Sequence, residues 1–271
     1  MKILGCFKVV PDLDLIVEED WNKKNQSYVD TGYAKLVWNC FDEGALEMML
    51  RLSDLSEGLN VVYKLSALTI GRQKTEGFLK TLYALGFSEG ARICVETEED
   101  ILFSPELVSE GIANYVKKVE GQDVIITGIQ SSDGSNKKTP YLLAEKLGWP
   151  CITQVVGMEP MDENHLQVTA QVPGGYMVRQ VKTPCVLAVG NAPCAYLRIP
   201  TLKDKMKLGK RPVTQFMPEE LGMVEAGESV QLIALNPIDR KRNTVIIEGD
   251  SPEEKARHLY EKYLRGRLSM L

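Results

Sequence analysis

The sequence predicts an α/β fold: a mostly parallel sheet with helices on both faces, extended by antiparallel strands and followed by an arm. Three observations predict it. Up to Pro150, short apolar runs alternate with stretches whose apolar residues recur at helical spacing, the rhythm of strands joined by crossover helices. After Pro150 the helical stretches stop and four short strand-like runs follow one another. From Gln215 onward the pattern offers one strand and one helix, which cannot bury a core of their own.

The elements follow in order. Lys2 to Val9 is an apolar strand, and Asp12 to Asp30 reads as a polar hairpin. Asp42 to Ser53 places Ala45, Met48, Met49 and Leu52 on one helical face. Val61 to Leu68 is a strand; Thr75 to Leu85 is a helix stopped by Gly86. A strand at Ala91 to Val95, a helix at Pro105 to Val119 and a strand at Asp123 to Thr127 continue the alternation. Lys138 to Leu147 is helical and closes at Gly148. Residues 151–160, 165–174, 175–183 and 184–190 are the short strands, with turns at Met161 to Asn164 and Pro173 to Gly175. Arg198-Ile199-Pro200 breaks any helix before the proline, and a basic run follows (Lys203, Lys205, Lys207, Lys210, Arg211), the usual pattern of a solvated face. Val245 to Glu248 is strand-like. A last helix is signalled by Ser251 as N-cap, Pro252 at its first position and Glu254 three residues after the cap. The division expected is a domain over 1–213 and an arm over 214–271.

Composition narrows the function. The 271 residues are 44% hydrophobic and 25% charged, enough for a sizeable core. A net charge of −5 is a poor match to nucleic acid, which needs a basic face. No apolar run is long enough for a membrane span, and the N-terminus lacks a secretory pattern. The six cysteines show no C-x-x-C pair, and Cys94, Cys151 and Cys185 lie in apolar runs as buried thiols. These features predict a cytoplasmic protein. Two histidines leave little for a zinc site or a His-based triad.

The most informative stretch is Gly128-Ile129-Gln130-Ser131-Ser132-Asp133-Gly134-Ser135-Asn136-Lys137-Lys138-Thr139. It runs strand, turn, helix, the order of an anion site in which backbone N–H groups and the helix dipole face a negative ligand. The spacing is neither G-x-G-x-x-G nor a P-loop. A polar loop that merely leads into a helix is the competing reading. Lysines in a first helical turn oppose the dipole unless an anion is near. The strand ends at Cys6-Phe7-Lys8 and at Ile70 face the same crevice. Asn39, before Cys40-Phe41-Asp42, reads either as a helix cap or as a contact to a base or ribose. Trp38 and Phe41 read as core.

Four separated blocks, "KILGCFKVVPD", "NCFDEGALE", "GIQSSDGSNKKTPYLLAEKLGWP" and "LRIPTLKDKMKLGKRPV", resemble, in order, the β subunit of electron transfer flavoproteins. The Ser131–Asp133 loop and the last block resemble the branch linked to carnitine reduction and nitrogen fixation. The resemblance covers Met1 to about Val213, and the terminal helix fits it. It implies a Rossmann-like adenine-nucleotide-binding fold in an electron carrier that is not itself an enzyme. It also implies an α subunit bearing FAD, and either AMP or a second FAD in this chain. Electrons would pass between NADH or an acyl-CoA dehydrogenase and another acceptor. The family's nucleotide positions fall on Cys6 and the adjoining Phe7, on Asn39, Cys40, Phe41 and Asp42, on Ile70, and on Gly128 to Thr139. Asp133 and Ser135 would meet ribose or phosphate, with Thr139 as the most direct phosphate donor. Where the family usually has Gln-Val-Gly or Gln-Thr-Gly, this chain has Lys138-Thr139-Pro140, so the close glycine approach is lost and side-chain charge stands in its place. The dehydrogenase-recognition loop falls on Gly190 to Ile199, with Cys194 nearest the family's leucine anchor and Tyr196 and Leu197 as substitutes. The alternative is a stand-alone nucleotide-binding stress-type module.

Overall fold

In a computed structural model the chain is described except for residues 22–28, 30, 57–58, 60, 97–100, 102, 224–241, 243 and 269–271. It divides into two compact units, Met1–Ala234 and Leu235–Leu271.

The first unit is built on a nine-stranded sheet. Strands β1 (Lys2–Phe7), β4 (Lys64–Gly71), β5 (Glu89–Cys94), β6 (Val124–Gly128) and β10 (Cys185–Val189) run parallel. Strand β7 (Cys151–Pro160) is parallel to β10, and β8 (His165–Val172) and β9 (Gly175–Lys182) extend it antiparallel. The order is β11-β5-β4-β1-β6-β10-β7-β8-β9, where β11 is Thr214–Phe216. Helices α2 (Cys40–Leu55) and α3 (Glu76–Ala84) cover one face, and α4 (Pro105–Val119) and α5 (Thr139–Leu147) cover the other. Strand β6 is buried at every residue, and its sequence VIITG is correspondingly apolar without alternation, as a strand covered on both faces must be. Leu46, Met49 and Leu52 of α2 are fully buried against the sheet. Truncating one such side chain to alanine typically costs about 2–5 kcal/mol. Gly148 takes the left-handed conformation that ends α5 (φ 67°).

Four expectations are corrected. The segment from Asp12 is no polar hairpin: Leu13–Leu15 is a 3-10 turn, capped by the Asp12 carboxylate accepting from the Asp14 N–H, and α1 (Glu18–Trp21) is a short helix. The antiparallel pairing nearby joins β2 (Val9–Pro11) to β3 (Leu36–Trp38) instead. Residues 22–28 and 30 of that stretch lie outside the described residues. Secondly, the last of the four short strands, β10, is not an antiparallel extension; it inserts between β6 and β7, parallel to both. Its unbroken apolar run, CVLAV, is fully buried. Thirdly, the sheet continues past Val213, because β11 pairs with β5, and Leu221 and Met223 are buried beyond it. Fourthly, Val245–Glu248 forms no strand.

The loop after β10 leads to α6 (Leu202–Leu208), whose N-cap Thr201 accepts from the Asp204 N–H. The second unit carries α7 (Pro252–Leu259), a π-helical turn at Tyr260–Leu264 and α8 (Arg265–Leu268). As expected, Ser251 caps α7 and accepts from the Glu254 N–H, while Glu254 accepts from the Asp250 N–H.

Candidate functional site

In this sheet the connections reverse direction between β1 and β6, and open α/β sheets form their binding crevice at the carboxyl ends of strands at such a point. A cavity opens there, enclosing about 830 Å³ with its mouth included. Leu68 and Ile70 of β4, Ile101, and Val108 and Ile112 of α4 give it an apolar wall, and Lys8, Gln130, Ser131, Asn136 and Thr139 lie around it. That combination of apolar wall and a few convergent polar groups is typical of small-molecule sites.

Of the residues anticipated, Cys6, Phe7, Asn39, Asp42, Ile70, Gly128, Gln130, Ser131, Asn136 and Thr139 line the cavity. Ser132, Asp133, Gly134, Ser135, Lys137 and Lys138 form no part of its wall, nor do Cys40, which is exposed, and Phe41, which is half-buried. The wall from Ile101 and from Pro105, Val108 and Ile112 of α4 escaped the sequence reading. Its signal was the apolar stripe of that helix, which pattern alone assigns to core.

The turn after β6 is closed on itself. The Ser131 carbonyl accepts from the Ser135 N–H and hydroxyl, both at 3.0 Å, and the Ser131 hydroxyl accepts from the Gly134 N–H. Asn136 accepts from the Lys138 N–H through its side chain, and Ser135 and Lys137 hold positive φ (47° and 58°). Among the described residues, the N–H groups of Asn136, Lys137 and Thr139 have no acceptor. Together with the Thr139 hydroxyl and the start of α5, they suit an anionic group. Pro140 adds none, lacking an N–H.

Two features hold this turn to the sheet. Lys8 pairs with Asp133, Nζ to Oδ2 at 2.6 Å, while Asp133 Oδ1 is buried without a partner. Asn39, buried at the start of α2, donates from Nδ2 to the Gln130 carbonyl (2.8 Å) and to Asp42 Oδ2 (2.9 Å), and its Oδ1 accepts from the Ser132 N–H. It makes no side-chain cap on its helix. Asp42 in turn accepts from the Lys8 N–H through Oδ2 (2.8 Å) and from the Gly128 N–H through Oδ1 (2.6 Å). Burial pushes its carboxyl up to about 6, and the bonds from Asn39, Lys8 and Gly128 oppose that rise. Gly128 is glycine because a Cβ there would lie 2.5 Å from Asp42 Oδ1 and 2.6 Å from Phe41 Cβ. The requirement comes from α2 packing on the strand end, not from a ligand.

The cysteines are all free thiols. Burial pushes Cys6 far above the ordinary range, Cys185 to about 12 and Cys151 to about 11, which holds these thiols in the protonated, less reactive form. Among the described residues, no cluster of metal-ligating side chains forms. No helix among them is long and apolar enough to cross a membrane.

At the loop from Gly190 to Ile199, Cys194 is buried, its thiol 3.8 Å from the Gly44 carbonyl, and Leu197 packs against the core. Neither is presented outward. Tyr196 (81% exposed) and Ile199 (88%) are.

The electron transfer flavoprotein domain model matches residues 38–221, the segment that holds α2, the cavity turn and this loop. The chain belongs to the electron transfer flavoprotein family. YgcR of Escherichia coli (strain K12), provisionally named an electron transfer flavoprotein subunit, is 31% identical over 99% of this chain and 99% of its own. The electron transfer flavoprotein subunit beta of Dictyostelium discoideum is 27% identical over 92% of this chain and 93% of its own. An Anaerotignum propionicum protein named acryloyl-CoA reductase electron transfer subunit gamma is 27% identical over 94% and 90%. As a beta-type electron transfer flavoprotein subunit, the chain is an electron carrier, not an enzyme in its own right. Membership in this family implies a complex with an alpha-type subunit and associated flavin.

Proposed function

We propose that this electron transfer flavoprotein subunit binds an adenine nucleotide in the cavity at the carboxyl ends of β1, β4 and β6. The occupant is AMP or a second FAD, and the partner is a FAD-bearing alpha subunit. The observation that carries this is the pairing of an apolar wall, suited to a flat base, with the N–H groups of Asn136 and Thr139 at the start of α5, which have no acceptor among the described residues and suit phosphate. A bound flavin supplies the electron chemistry. The chain's own residues orient it: Leu68, Ile70 and Ile112 exclude water from the base, and Lys8 and Thr139 lie on the cavity wall. The complex works in the cytoplasm. The C-terminal unit binds the alpha subunit, and the loop from Gly190 to Ile199 docks an acyl-CoA dehydrogenase or similar redox protein through the outward-facing Tyr196 and Ile199. The name of the Anaerotignum relative, which ties it to an acyl-CoA-type reductase, supports that partner class.

The test is the cofactor inventory of the purified heterodimer after denaturation. Two flavins per heterodimer assign FAD to this cavity, and one flavin with one AMP assigns AMP. A complex with a single flavin and no further adenine nucleotide overturns the reading.

A further inference from the structure

The first turn of α2 is engaged with the cavity's framework to an extent that leaves little for a ligand. Both oxygens of Asp42 are taken by donors of the protein: Oδ1 by the Gly128 N–H, Oδ2 by the Lys8 N–H and by Asn39 Nδ2. These donors belong to the ends of β6 and β1 and to the start of α2, three of the elements that enclose the cavity. Asn39 passes the constraint on, holding the Gln130 carbonyl and the Ser132 N–H. Asp42 is 6% exposed and Asn39 1%.

We propose that Asp42 is a positioning residue for the nucleotide site: as a carboxylate it fixes the ends of β1 and β6 and, through Asn39, the turn after β6, so that nucleotide affinity depends on its charge. The inference rests on the cavity being the nucleotide site. A carboxylate accepts from all three donors at once. A neutral acid, or an amide, turns one oxygen position into a donor and leaves at least one N–H facing another donor. Lys8 or Gly128 then loses its anchor, and the turn loses its register on the strand ends.

Among the described residues, the charged or titratable groups acting on Asp42 are Cys6 of β1 and Lys8, just past its end. The Lys8 ammonium is engaged by Asp133, and burial keeps the Cys6 thiol protonated. The α2 turn contributes the neutral Asn39, and β6 contributes the Gly128 amide. Glu43, next in the chain, accepts from the Leu197 N–H. Burial raises the Glu43 carboxyl as well, so the Asp42→Asn variant, which keeps Glu43, is what separates the titration of Asp42, raised to about 6, from that of its neighbour.

The test is equilibrium dialysis of the full chain against labelled adenosine across pH. Adenosine is the probe because a nucleotide's phosphate has its own second pKa near 6. Wild type is expected to lose about tenfold in affinity from about pH 7.5 to about pH 5. Asp42→Asn is expected to bind weakly at both and with no pH dependence. A pH-independent wild-type affinity, or an Asp42→Asn variant that binds as wild type does at neutral pH, overturns the proposal and leaves the nucleotide reading standing. Failure of wild type to bind either adenosine or AMP at any pH overturns both. Far-UV circular dichroism checks the variant's fold; should it not fold, the wild-type profile decides.

Discussion

At Asp42 a functional arrangement and a stability cost sit on one side chain. Its folded pKa, about 6, lies above the ordinary 3.8, so the folded state holds the proton more tightly than the unfolded chain does. The resulting stability is fully present below about pH 4 and is lost as the pH rises through about 6. At neutral pH the buried charge costs on the order of 3 kcal/mol. Calorimetry of wild type and Asp42→Asn at about pH 5 and about pH 7 is expected to show wild type gaining on the variant at the lower pH; a constant gap would contradict the burial of this charge. Gly128 is the second residue where local packing decides. Alanine there is expected to destabilise by about 1–3 kcal/mol and to lower nucleotide content, because its Cβ meets the Asp42 carboxylate and the Phe41 stem. Urea denaturation and nucleotide release measure the two effects.

At the scale of elements, α2 serves two sites. Its first turn holds the cavity, and its middle holds the loop from Gly190 to Ile199. Glu43 accepts from the Leu197 N–H, and Glu47, with a side chain 5% exposed, accepts from the Arg198 N–H and guanidinium. Arg198 also reaches Asp54 at 2.8 Å. Arg198→Ala is expected to cost about 1–2 kcal/mol, since it leaves a buried carboxylate short of donors while the lost partner is half-exposed. Hydrogen exchange at the Leu197 and Arg198 amides is expected to speed up, and nucleotide content to stay constant. Replacing Tyr196 and Ile199 with alanine, in contrast, is expected to slow electron transfer to the redox partner several-fold and to leave that exchange unchanged. Much of this layout was legible in the sequence. Helix Pro105–Val119 matches its predicted bounds because a proline start and an apolar stripe act locally. The place of β10 was not, since CVLAV says that both faces are covered and nothing about which neighbours cover them. The double duty of Asn39 was hidden for a similar reason. An asparagine before a helix is by default a cap, and only the tertiary fold brings Gln130 and Ser132 within its reach.

For the molecule as a whole, the second unit leaves an apolar stripe bare. Leu259, Tyr260, Tyr263, Leu264 and Leu268 are 36–52% exposed and recur at helical spacing. Exposed aliphatic and aromatic side chains in such a row fit the proposed contact of this unit with the alpha subunit. Leu264→Asp together with Leu268→Asp is expected to weaken assembly with the alpha subunit at least tenfold, read by analytical ultracentrifugation, with the chain's own nucleotide unaffected. Heterodimers of wild-type strength would remove this unit from the interface. The order of strands has a separate consequence, felt before any partner arrives. β6 is laid down early, but its second neighbour, β10, comes only after the whole of β7, β8 and β9 has been synthesised. At roughly 5–20 residues per second, the nascent chain waits seconds with an apolar strand unpaired along one edge. The middle of the sheet is thus sewn late, and the newborn protein is exposed to aggregation where the mature one is most deeply buried.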